Sequence, residues 1–107
     1  MRHSRGDTII WRYTHKVYND LTEEWDYTDC DDNYPKITVT NADSVKRVDA
    51  QDMTKVATGK YVFAQTIASD EVEGLLEGVA EGRCTVQYGG NDVILVRQAL
   101  FNVEVVA

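Results

Sequence analysis

His15, Cys30, Cys84 and the acids of residues 22–34 are the residues whose types could do chemistry in this chain. A histidine beside a carboxylate can act as a general base. His15, however, falls in the alternating run Ile9, Trp11, Tyr13, His15, Val17, where a histidine at a sheet margin or interface is the commoner outcome. His3 lies near the N-terminus. No GxSxG, HExxH or phosphate-loop spacing occurs, so the expectation is a non-enzymatic protein without a cofactor. The two cysteines lack CxxC spacing, which argues against zinc. Cys84 alternates with Val86 and Tyr88 and reads as a buried free thiol; a disulfide stays open in an oxidising compartment.

The run TEEWDYTDCDDNY offers two further chemistries. Asp29, Asp31 and Asp32 are weak candidates for Ca²⁺, which takes six to eight hard oxygen ligands. Their spacing is not that of an EF-hand, and a solvated acidic loop is the plainer alternative. Trp25, Tyr27 and Tyr34, flanked by Glu23, Glu24 and Asp26, are the candidate partner-binding residues. Rings give large contact area at low entropic cost, in a protein interface or a sugar-stacking platform.

A length of 107 residues implies a single domain over 1–107. A formal net charge of −7 argues against binding a phosphate backbone, so no nucleic-acid partner is expected. Arg2, His3 and Arg5 suggest a flexible basic tail over residues 1–5. The longest apolar run, Val93-Ile94-Leu95-Val96, is far too short for a membrane span, and residues 1–8 carry no apolar signal segment.

Strands must position these residues. Thr8–Val17 alternates with period two, Glu24–Tyr27 reads as its return strand, and residues 28–35 form a loop closed by Pro35. Ile37 and Val39 face inward on the next strand, and residues 45–50 alternate poorly, as in an irregular edge. Met53 and Val56 are expected as inward anchors, and Gly59 as a positive-φ turn before a core strand with Tyr61, Phe63 and Ile67. Val72, Leu75, Leu76, Val79 and Ala80 repeat at helical spacing, which predicts a short helix over 70–81 with Ser69 as N-cap and Gly82 beyond its end. Gly74 and Gly78 weaken that helix by about 1 kcal/mol each. A final hairpin turns at GGND, with a bulge expected near Gln98-Ala99. About seven short strands at this spacing suggest an all-β antiparallel sandwich.

Gly6-Asp7, Ile37 with Val39 and Asn41, Met53, Thr58-Gly59-Lys60-Tyr61 and Phe101-Asn102-Val103 follow one another in an order that resembles small immunoglobulin-like β-sandwich proteins of tailed bacteriophages and archaeal tailed viruses. The segment 69–82 departs from that pattern. The resemblance implies a virion structural protein, of head–tail connector, tail-completion or capsid-decoration type, made in the host cytoplasm. It implies other virion proteins as partners and a homo-oligomer or ring on assembly. The alternative is a sugar- or surface-ligand-binding module, Ca²⁺-dependent or not.

Overall fold

The computed structural model describes residues 2–106, and every regular element in them is a β-strand. The strands are β1 (Arg2–Ser4), β2 (Thr8–Thr14), β3 (Lys16–Asn19), β4 (Glu24–Tyr27), β5 (Lys36–Thr40), β6 (Lys46–Asp52), β7 (Thr54–Ala57), β8 (Lys60–Thr66), β9 (Gly74–Tyr88) and β10 (Asn91–Val106). They form a five-stranded sheet ordered β1-β10-β9-β5-β6, a three-stranded sheet β2-β8-β7 and the hairpin β3-β4. No described helix is long and apolar enough to cross a membrane.

The two larger sheets share one core. Ile9, Trp11, Tyr13 and Tyr61 come from the smaller sheet; Ile37, Val39, Leu76, Ala80, Val103 and Val105 come from the larger. Ile37 and Val39 are wholly buried, each contributing about 1.5–3 kcal/mol by removal of apolar surface from water.

The helix expected over 70–81 is not formed; from Gly74 onward the segment is the first half of β9. The reason lies in the glycines. Positions 74, 78 and 82 are four apart, which is one helical turn but also two strand repeats, so all share a strand face. On that face Leu76, Gly78, Ala80, Gly82 and Cys84 are buried. A Cβ on Gly78 would lie 2.8 Å from the Trp11 ring, and one on Gly82 would meet the Tyr13 hydroxyl and lie 2.7 Å from His15 Nδ1. The missing side chains make room for rings from the opposite sheet. A helix would scatter that room, while the strand gathers it.

Three other expectations change. The bulge near Gln98-Ala99 is absent: β9 and β10 pair without a register shift from Asn91↔Tyr88 to Val105↔Gly74. Val56 is exposed, because the β7–β8 register slips between Lys55 and Ala57; Met53 is buried as expected. Residues 2–4 of the expected flexible tail form β1, parallel to β10 at Glu104–Val106, and Arg5 Nε donates to the Glu71 carbonyl at 2.6 Å. Met1 lies outside the described residues.

A polar clasp closes this end of the core. The Glu71 carboxylate, 2% exposed, accepts from Arg47 Nε at 3.1 Å and Asn41 Nδ2 at 3.2 Å. Asn41 Oδ1 accepts in turn from the backbone N–H groups of Asp43 and Val45. At the other end Gly59 adopts φ +68°, and Gly89 and Gly90, at +57° and +82°, make the two-residue turn of the β9–β10 hairpin. Strands of 15 and 16 residues reach about 50 Å. The molecule measures 53 × 21 × 18 Å, so this hairpin spans its full length.

Candidate functional site

β2 and β3 run on from one another, interrupted at His15. β8 pairs β2 and β4 pairs β3, and the backbone of His15 bonds both Gly59 of the β7–β8 turn and Thr28 after β4. Strand alternation then sorts the β3–β4 hairpin into two faces. Lys16 lies opposite Tyr27 and Tyr18 opposite Trp25 on one; Val17 lies opposite Asp26 and Asn19 opposite Glu24 on the other.

The aromatic face is exposed and ordered. Trp25 is 59% and Tyr27 47% exposed. The Tyr18 ring meets Trp25 edge-on at 5.4 Å between centroids. Lys16 Nζ and Lys60 Nζ lie 4.7 and 4.8 Å from the Tyr27 centroid, within cation–π range. Trp25 and Tyr27 also border an open groove of about 520 Å³ whose far wall is Arg97, Gln98 and Ala99 of β10. A second groove of about 240 Å³, between Ile9–Arg12 and Phe101–Val103, continues the same line along β2 and β10. The two grooves mark a seam where the edges of the two layers face each other uncovered.

Trp25 and Tyr27, both expected to bind a partner, thus come together. Tyr34 does not join them: it is half-buried, with its ring 4.9 Å below the Arg83 guanidinium. The expected acids are also displaced. Glu24 and Asp26 occupy the opposite face of the hairpin, where Asp26 accepts from Asn19 Nδ2 at 3.1 Å, and Glu23 sits in the turn at φ +57°. The surface around the rings is consequently cationic, through Lys16, Lys60 and Arg97. Sequence reasoning missed Tyr18 and these cations, although placing the β3–β4 turn at Asp20–Glu23 would have set Tyr18 across from Trp25 and Lys16 across from Tyr27.

The calcium candidates are spent separately. Asp29 accepts from Lys55 Nζ at 2.6 Å and from the Gly59 amide at 2.9 Å, and the Lys55 bond, then the Gly59 bond, hold its carboxyl below the usual range. Asp31 accepts from the Thr85 hydroxyl and amide. Asp32 is exposed. Among the described residues no three His, Cys, Asp or Glu side chains converge as a metal site. Cys30 and Cys84 are free thiols, both pushed upward in pKa by burial.

His15 is fully buried and shares a 2.6 Å hydrogen bond with the Tyr13 hydroxyl. Burial, then the nearby Arg97, lowers the imidazole pKa, while burial raises that of Tyr13. Both groups are therefore neutral near pH 7, and the imidazole is sealed from any substrate.

No protein-family model matches the chain, and neither a curated protein nor a solved structure shows significant similarity to it.

Proposed function

We propose that this chain is a non-enzymatic assembly subunit of a tailed-virus particle, an immunoglobulin-like sandwich that works through protein–protein contacts. One observation carries the mode of action: Trp25 and Tyr27 are exposed yet braced, by Tyr18 edge-on and by two lysines over Tyr27, beside an uncovered seam. Aromatic anchors already held in place lose little entropy on docking, and aromatic residues and arginine dominate interface hot spots. The virion setting is supported by the resemblance at Gly6-Asp7, Thr58-Gly59-Lys60-Tyr61 and Phe101-Asn102-Val103. A cationic rim at Lys16, Lys60 and Arg97 favours an acidic patch on the partner.

Mass spectrometry of purified virus particles tests this reading. The chain is expected at a fixed copy number per particle, and a Trp25→Ala/Tyr27→Ala variant that still folds is expected to drop out. Particles that never contain the chain contradict it.

A second reading is favoured by the groove itself. Trp25 lines the groove together with Lys16, Arg97 and Gln98, a ring and hydrogen-bond donors in one recess, which suits a sugar. With Asp29 and Asp31 committed elsewhere, this module would act without calcium. Binding on a glycan array that is lost in Trp25→Ala, and unchanged by a chelator, would select it.

A further inference from the structure

β10 is paired on only one side for most of its length. β9 covers one edge throughout, whereas β1 covers the other only at Glu104, Val105 and Val106. From Asn91 to Val103 the second edge has no strand against it among the described residues. Such an edge carries a row of free N–H and C=O groups, which proteins commonly guard with lysine, proline, a bulge or an inward charge. Here there is no lysine, proline or bulge, and the only guard between Val93 and Val103 is one inward charge, Arg97. The outward side chains beside this edge are apolar and open: Ile94 is 63%, Val96 44% and Leu100 77% exposed.

We propose that this edge pairs with the same edge of a second copy of the chain, antiparallel about a two-fold axis at Gln98, so that the two five-stranded sheets become one. The sequence of the strand selects this occupant and this register. Residues opposite one another in an antiparallel pair share a face, so a self-pairing must match odd positions with odd and even with even. The midpoint of the open edge is Arg97, and an axis there would set two guanidinium groups against each other. An axis one residue on, at Gln98, removes that conflict and still uses Val93 to Val103. Arg97 then faces Ala99 of the second copy, whose small side chain leaves it room. Val96 faces Leu100 on the outer side; Leu95 faces Phe101 and Val93 faces Val103 on the inner side. Asp92 falls opposite Glu104 of the second copy, a position that Arg2 of that copy already pairs at 3.3 Å, so the shared ladder ends at Val93. An axis at Val96 would instead place Leu95 against Arg97 and Asp92 against Leu100.

The inference is separate from the virion reading, since a binding module could dimerise in the same way. Sedimentation equilibrium of the full chain is expected to show a reversible dimer. Leu100→Lys, on an exposed side chain, should leave the circular dichroism spectrum unchanged and weaken the dimer by about tenfold or more, because two-fold symmetry enters the substitution twice. Val56→Lys, exposed on β7 and separated from β10 by β8 and β2, should leave the dimer intact. Oxidised Gln98→Cys should give a covalent dimer whose joined peptides both contain residue 98. A chain monomeric at every accessible concentration overturns the proposal and leaves the edge to a strand of another protein. A dimer indifferent to Leu100→Lys, or one in which residue 98 never joins itself, overturns it too. None of these results bears on whether virus particles contain the chain.

Discussion

β9 and β10 belong to one hairpin and are about equally long, yet they face different surroundings. β9 turns Leu76, Gly78, Ala80, Gly82 and Cys84 toward the opposite sheet, all buried, and it is bonded to β10 on one edge and, over Glu77–Glu81, to β5 on the other. β10 turns Ile94, Val96 and Leu100 outward and leaves an edge open from Asn91 to Val103. The strand that looks poor in side chains is the one the fold depends on, because its glycines receive Trp11, Tyr13 and His15. The strand rich in apolar side chains has more of them than the core takes up. Small residues here specify the fold, and large ones are left over for contact.

The sharpest way to break that comparison is to fill the glycine face. Gly82→Val forces a branched side chain into the Tyr13 hydroxyl and His15, and overpacking a set core should cost about 3 kcal/mol or more, read as a lower urea midpoint. Next comes the clasp. Glu71→Ala leaves Arg47 and Asn41 without their buried acceptor. Because the Arg47 side chain is 27% exposed, the loss should fall near 2 kcal/mol, below that of a fully buried pair at about 3–5 kcal/mol.

His15 supplies a pH test of the same packed end. Its folded pKa is lowered by burial, so the unfolded chain takes up a proton first as pH falls. The stability contributed by the neutral imidazole is present above the unfolded value of about 6.5 and is lost as pH drops below it, by up to about 1.4 kcal/mol per pH unit. Urea midpoints measured across that interval should fall toward acid, and His15→Gln should flatten the fall. The smallest effect is expected on β10, where Leu100→Lys should change folding stability by less than about 0.5 kcal/mol even as it weakens self-association. A large folding loss at Leu100 with a small one at Gly82 would invert the comparison.

Much of this was legible in period-two patterns. Ile9, Trp11 and Tyr13 on one side of β2, Ile37 and Val39 on β5, Met53, the turn at Gly59 and the hairpin at Gly89-Gly90 all stand where alternation and turn chemistry put them. The helix over 70–81 was misread for a physical reason. Spacing of four fits both a helix and a strand, and the deciding fact, that Gly78 and Gly82 lie beneath rings from β2, is a contact between residues far apart in sequence. Of the candidate site, Trp25 and Tyr27 were legible as aromatics near a turn. Their neighbours Lys60 and Arg97 were not, because they come from β8 and β10. The acids were misplaced by reading proximity in sequence as proximity on a surface, although adjacent strand residues face opposite ways.

Hydrogen exchange along β10, followed by NMR at low and high protein concentration, tests most directly whether this edge is open and then shared. The amides of β10 that bond β9 should be slow at both concentrations. The alternating amides between Val93 and Val103 that face away from β9 should exchange fast when dilute and slow markedly when concentrated. Alternating amides that are equally slow at both concentrations would show the edge already covered within one chain, and equally fast ones would show that no second copy pairs with it.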